Sequence, residues 1–324
     1  MRFLLFLVPA ALLAQAPFRP TAQLGVPAQV GGISRVIGSK EVLEVGSLRE
    51  VTLDSAELAL AFPNRLENVI AAAGEKLLIL RGSVRNPEKT SVAHLGASEV
   101  VGLRMALRNT KTKRVDFIAH YDPETLKPIS KQLKGGESAR FIGVWRVPAD
   151  WAEFRIGLSY GNSPIVPTYD LAGKIIPPRS IFLAPDGVNL NLTATAASGS
   201  SFEVDGLEVG AARLSQPARI AGTARDPSQP LYVVTLPVTN RLLLPARWGW
   251  QYVNAELLHE DGTATKFYPS IVNQATDAEW AGDLDPAATA SSQFIFRPGA
   301  VKRPRALRLT MVPTGRQVEI GLAR

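Results

Sequence analysis

Alternation between apolar and polar positions is the dominant signal along this chain, and it recurs. Lys76 to Asn86 reads Lys-Leu-Leu-Ile-Leu-Arg-Gly-Ser-Val-Arg-Asn, and Pro230 to Asn240 reads Pro-Leu-Tyr-Val-Val-Thr-Leu-Pro-Val-Thr-Asn. A shift of 154 positions lays Leu78 on Tyr232, Leu80 on Val234, Val84 on Val238 and Asn86 on Asn240. Residues two or four apart share one face of a strand. Each segment therefore predicts a core strand with an apolar inward face and a terminal Asn that bonds the turn beyond it.

Other segments match in the same order. Val51 to Leu58 resembles Phe202 to Val209 at a shift of 151. Val100 to Leu107 and Trp250 to Leu258 each lead into a polar turn, and Asp261-Gly262 in the second is a hairpin signal. Ala139 to Val147 corresponds to Ser292 to Phe296, and Phe154 to Leu158 to Leu307 to Met311, both at a shift of 153. Gln317 to Leu322 predicts a last strand. Ordered matches at a nearly constant shift predict a tandem duplication. Two copies are too few for a solenoid, so two self-contained sandwiches are expected. Helix is expected only as a turn or two near Arg65 to Ala72, between the breakers Pro63 and Gly74.

The flanking segments complete the plan. Arg2, the apolar run Phe3 to Leu13 and Ala14-Gln15-Ala16 predict a signal peptide over residues 1–16, cleaved before Pro17. Residues 17–48 form an extended leader, 49–172 a first domain and 201–324 a second. The linker, 173–200, is stiffened by Pro177-Pro178 and loosened by the small residues from Ala194 to Ser201. Asn191-Leu-Thr193 has the glycosylation pattern by coincidence.

In strand order, in the apolar strand ending in Asn and in turn spacing, residues 50–172 and 200–324 each resemble bacterial extracytoplasmic immunoglobulin-like β-sandwich modules. The Cys…Trp…Cys signature of antibody-type domains is missing. The resemblance implies an all-β chain of two tandem immunoglobulin-like β-sandwich domains after a signal peptide, with a binding or scaffolding role.

Composition narrows the setting. Apolar residues make up 46% and charged residues 20%, enough for a buried core, and the 26 Gly and 24 Pro suit short strands joined by turns. The absence of Cys rules out disulfides, a thiolate zinc site and a lipoprotein anchor. No stretch after the signal is long and apolar enough for a transmembrane segment. The net charge of +7 favours solubility and is compatible with anionic envelope polymers. Lys302-Arg303-Pro-Arg305, with Arg297 nearby, lacks interleaved aromatics, so no nucleic-acid partner is expected.

Candidate chemistry is sparse. Arg247-Trp-Gly-Trp-Gln-Tyr252 places Trp248, Trp250 and Tyr252 two apart. On one strand they would share a face, and with Arg247 and Gln251 they would make a sugar-stacking platform or, alternatively, the inward face of a core strand. Asp277, Glu279, Asp283 and Asp285 form a solvated acidic loop without the ligand order of a calcium loop. Asp54/Glu57 and Asp205/Glu208 read as duplicated turn chemistry. His94, His120 and His259 belong to no catalytic or metal motif. The expectation is a secreted or periplasmic, non-enzymatic binding or interaction module of the cell envelope, with no cofactor. Its partner would be an envelope glycan or another envelope protein. The alternatives are a carbohydrate-binding protein using the aromatic strand, and a structural component of a surface assembly that pairs through strand edges.

Overall fold

The computed structural model describes residues 20–324 except 32, 38–39, 45–47, 90–91, 97–99, 101, 106–115, 161–165, 179, 221–222, 225–229, 281 and 324. Among these, every regular element is a β-strand, and no helix is long and apolar enough to cross a membrane. The expected signal peptide and the turn at 109–113 lie outside the described residues.

Seven principal strands come from the first half: β1 (Arg49–Ala59), β2 (Glu75–Arg85), β3 (Gly102–Met105), β4 (Asp116–Tyr121), β5 (Ser138–Pro148), β6 (Arg155–Ser159) and β7 (Thr168–Asp170). Seven come from the second: β8 (Leu207–Val209), β9 (Tyr232–Asn240), β10 (Val253–His259), β11 (Ala264–Asn273), β12 (Thr289–Phe296), β13 (Pro304–Met311) and β14 (Gln317–Gly321). In the first half the sheets run β1-β2-β5-β4 and β7-β6-β3. In the second the order is β8-β9-β12-β11 and β14-β13-β10, and β11 joins the two sheets. It pairs with β10 through Ala264–Lys266 and with β12 through Ile271–Asn273, with a register shift between Phe267 and Ile271. Both halves are built as facing antiparallel sheets, so the architecture is a β-sandwich.

The same hydrogen bonds recur 151 to 154 positions apart. The Asn86 amide donates to the Leu133 carbonyl, and that of Asn240 to the Leu284 carbonyl. Their side-chain oxygens accept from Glu88 N–H and Leu242 N–H in the turns that follow. Gly136 N–H donates to Asn86 O as Ala287 N–H does to Asn240 O, and both donors have positive φ. Leu126 N–H donates to Asp122 O and Asp277 N–H to Asn273 O.

One expected correspondence is displaced. Phe202–Val204 and Leu207–Val209 are the two arms of a hairpin about Asp205-Gly206, whereas Arg49–Ala59 is a single strand. Val51 faces Val84 on β2, and its positional equivalent facing Val238 on β9 is Val209, 158 residues on. Asp54 bulges from β1 between Leu53 and Ser55. The second half leaves the ladder at the corresponding place, beside Pro237, and resumes at Arg213–Ser215. Pro237 has no N–H to donate, and Gly210 N–H bonds its carbonyl across the break.

Residues 65–72 form no helix. The Asn64 side chain accepts from Leu66 N–H and Glu67 N–H, which turns the chain back so that Val69–Ile70 pairs with Ala61–Phe62. β-branched residues after an Asx turn favour strand here.

The inward face of β2, Leu78, Leu80 and Val84, packs with Phe141, Trp145 and Leu158. Leu77 and Ile79, on the opposite face, belong with Ile142 and Val144 to a second cluster. That cluster continues into the second half through Val234, Leu236, Phe294 and Leu309. Strand β2 is thus buried on both faces, which explains its uninterrupted run Leu77–Leu80. The connector between the halves is anchored at separate points along its length. Phe182 is fully buried in the shared cluster, and Thr193–Ala196 lies parallel to Gln317–Ile320 of β14. Lys76 is buried, and its ammonium donates to the carbonyls of Trp151 (2.7 Å), Gly187 (2.6 Å) and Val188 (3.3 Å), which ties the connector to the first half. Burial pushes its pKa down to about 8.

Asp122 closes the β4 turn. Its carboxylate takes the Lys131 ammonium at 2.6 Å and the backbone N–H groups of Glu124 and Thr125. The Lys131 bond first, then the Thr125 N–H, hold its pKa at about 2, below the ordinary 3.8. A depressed carboxylate contributes stability that is complete above its unfolded value and is lost as pH falls through the folded one. The melting temperature is expected to decline between pH 4 and 2, and Asp122→Asn, which keeps the turn oxygen, should flatten that part of the profile. An unchanged slope in the variant would remove Asp122 as its source.

Candidate functional site

The aromatic run does not form a strand face. Strand β10 begins at Val253, and Tyr252 N–H and Val253 N–H both donate to the Gly249 carbonyl, so the chain is turning where the platform was expected. Trp248 is 1% exposed. Its indole N–H donates to Ser292 Oγ at 2.9 Å, and its ring meets Phe294 edge-on at 6.4 Å. Trp250 is 44% exposed, Gln251 is exposed and Tyr252 is half-buried. The Arg247 guanidinium lies over the Tyr252 ring at 5.4 Å. The five residues therefore separate: Trp248 serves the core, Trp250 and Gln251 face solvent, and Arg247 with Tyr252 forms one wall of a cleft.

That cleft has a volume of about 380 Å³ and lies between the halves. Asn68, Ile70 and Ala71 come from the first half; Leu207, Leu242, Arg247, Tyr252, Asp283 and Met311 come from the second. Its inner end abuts a buried polar node. Arg316 is fully buried and pairs with the Asp205 carboxylate, while its Nη2 donates to Ala71 O of the other half at 2.8 Å. Thr314 Oγ1 donates to Asp205 Oδ2 at 2.6 Å. Asp205 has a φ of 52°, and Gly206 follows at 78°, where an added Cβ would meet Leu242 Cδ2 at 2.4 Å. The Asp205-Gly206 turn is thus fixed by both backbone and packing. On the far side of Asp205 and Leu242 a second cavity of about 380 Å³ includes Phe62, Ile79, Glu203 and Arg241.

The basic cluster is largely neutralised by neighbours. Lys302 pairs with Asp261 at 2.6 Å, Arg303 with Glu260 at 3.9 Å and Arg305 with Glu319 at 3.8 Å. Arg297 stacks over Tyr268 at 5.1 Å. The Lys302 ammonium, with Thr263, holds the Asp261 carboxyl well below the usual range. Arg308 bridges Glu256 and Glu319 across three strands. These pairs are partly exposed and each contributes little. Among the described residues, no group of three or more His, Cys, Asp or Glu side chains is placed to hold a metal ion. His259 is buried in the β10–β11 hairpin with Nε2 2.8 Å from Thr265 Oγ1, and burial lowers its pKa.

Sequence reasoning missed Arg316 and Asn68. An Arg in the turn Pro313-Thr-Gly-Arg316 reads as solvated, and its partner Asp205 lies 111 positions earlier. No local pattern joins them.

No protein-family model matches the chain, and no curated protein does. Among solved structures, the chain is similar to an uncharacterized beta-sandwich protein from Clostridium difficile 630. The match has 13% identity and a TM-score of 0.29, over 39% of this chain and 92% of that one. The sandwich architecture stated above rests on the strand pairing itself.

Proposed function

We propose that the chain is an extracytoplasmic, non-enzymatic interaction module of the cell envelope, consisting of two tandem immunoglobulin-like β-sandwiches behind a cleaved signal peptide, and that its partner is another envelope protein. The carrying observation is the continuous apolar cluster that joins the halves into one packed body. Such a body holds surface from both halves in fixed relation, which favours recognition over turnover. The immunoglobulin-like reading is supported by the strand orders, since β1-β2-β5-β4 with β3-β6-β7 follows the ABED/CFG arrangement. The second half repeats it as β8-β9-β12-β11 with β10-β13-β14. Duplication is supported by the Asn-centred bonds, whose donors recur at 154 positions and acceptors at 151. Burial of Trp248 takes away one ring of the sugar platform, which favours a protein partner over a glycan.

Two measurements test this. Expressed from Met1 in a Gram-negative host, the chain should appear outside the cytoplasm with Pro17 as its first residue; a cytoplasmic product retaining residues 1–16 refutes secretion. The purified chain should also bind isolated envelopes of its producing organism saturably, with binding abolished by prior protease treatment of the envelopes. Binding that resists protease and disappears on glycan digestion replaces the protein partner with a glycan. Absence of saturable binding refutes both.

A further inference from the structure

One hairpin pairs with neither sandwich. The short strand Ala28–Val30 runs along the start of β1, with Val30 opposite Arg49. Between these two paired residues the chain makes an excursion. Its arms, Ile33–Ile37 and Lys40–Glu44, pair with each other from Ile33–Glu44 to Ile37–Lys40 and, among the described residues, with no other strand. The base of the excursion is held firmly. Val30 is fully buried, and Arg49 donates to the carbonyls of Val100 and His94, both at 2.8 Å. A hairpin of two strands is marginal by itself in water and gains stability from further strands. Half of the ten arm residues are apolar and none is Gly or Pro, a composition that suits a strand with neighbours. Alternate residues of an antiparallel strand turn their N–H and C=O groups away from the partner they already have. Each arm therefore offers a ladder edge.

We infer that this hairpin docks a second copy of the chain, the two Lys40–Glu44 arms pairing antiparallel about a two-fold axis at Val42 to make one four-stranded sheet. Charge complementarity selects both the occupant and the register. Lys40-Glu-Val-Leu-Glu44 is complementary to its own reverse. Centred on Val42, antiparallel pairing sets Lys40 of each copy opposite Glu44 of the other and Val42 opposite Val42. Opposite charges across a ladder stabilise it and like charges destabilise it. Parallel pairing in the same register would oppose Lys40 to Lys40 and Glu44 to Glu44. Antiparallel pairing of the other arm about its centre would oppose Arg35 to Arg35, so growth beyond four strands is disfavoured. The arms carry two positive and two negative charges, so the contact itself adds no net charge to that of two basic chains. An isologous contact of this kind closes at two subunits. The envelope role is not required for it.

Sedimentation velocity of the purified chain over a dilution series tests the assignment, and a reversible monomer–dimer equilibrium is expected. Lys40→Glu and Glu44→Lys should each weaken self-association by about fourfold or more, because two attractive pairs become two repulsive ones. Mixing the two variants should restore the dimer, since each then meets the opposite charge, and so should both substitutions in one chain. Recovery in the mixture also shows that both variants are folded. Val42→Cys, in a chain otherwise without Cys, should close an intermolecular disulfide on mild oxidation, because directly facing residues lie within disulfide reach. Val36→Cys, on an outer strand and three strand spacings (about 14 Å) from its copy, should not. A monomer at millimolar concentration, a dimer indifferent to the charge reversals, no recovery on mixing, a disulfide at position 36 but not at 42, or oligomers larger than two overturns the proposal.

Discussion

Asp205→Asn is expected to destabilise the whole chain by about 3–5 kcal/mol, the scale for stranding one partner of a buried ion pair, and to lower its melting temperature by on the order of 10 °C. Arg316 has no access to solvent, and the only carboxylate it pairs with among the described residues is that of Asp205. Asn is the sharpest replacement because it tolerates the positive φ of 52° that Asp205 adopts. The turn survives and only the charge is removed. The remaining Arg316 contact, to Ala71 O, crosses to the first half, so the loss is expected to loosen the junction as well as the turn. Adding Arg316→Met should recover part of the loss, because an apolar side chain of similar volume carries no charge to desolvate. Urea unfolding of the two variants checks this. An Asp205→Asn chain within 1 kcal/mol of the parent, a margin below the range for a broken buried pair, would show that the node does not hold the halves.

Trp248→Ala should remove about 3–5 kcal/mol of stability, whereas Trp250→Ala should stay within about 0.5 kcal/mol of the parent. The two residues are two positions apart, yet one is 1% exposed and the other 44%. Truncating Trp248 empties a site packed against Phe294 and leaves Ser292 Oγ, itself buried, without its indole donor. Trp250 ends in solvent, so its removal opens no cavity. Thermal melts of both variants discriminate. Equal, small effects would place Trp248 on the surface after all and reopen the sugar-stacking reading.

Period-two alternation made the strand faces legible. Leu78, Leu80 and Val84 do face one core, and Tyr232, Val234, Leu236 and Val238 the other. Asn86 and Asn240 do bond the turns after their strands. The same signal misled where a turn mimics it. Trp-Gly-Trp-Gln-Tyr alternates as a strand does, yet the Gly249 carbonyl collects two N–H donors and bends the chain. Alternation also let Phe202–Val209 align with Val51–Leu58, because any two alternating stretches match and Asp205-Gly206 can be taken for an interruption rather than a hairpin. The junction was half visible. The unbroken apolar run Leu77–Leu80 announces burial on both faces, but the residues that fill the second face come from far along the chain. Arg316 and Asn68 carry no local signature, and Asp205 announces a turn but not its ion pair, since the partners are set by tertiary packing.

The segment from Thr193 to Val204 touches both open sides of the second half. Thr193–Ala196 runs along β14 and Phe202–Val204 along β8, the outermost positions of an assembly otherwise closed through β11. Unprotected strand margins offer rows of free N–H and C=O groups to any passing chain. The passage between the halves therefore covers the margins of β14 and β8. A single proteolytic nick between Ala196 and Phe202 is expected to loosen the hold on both margins together.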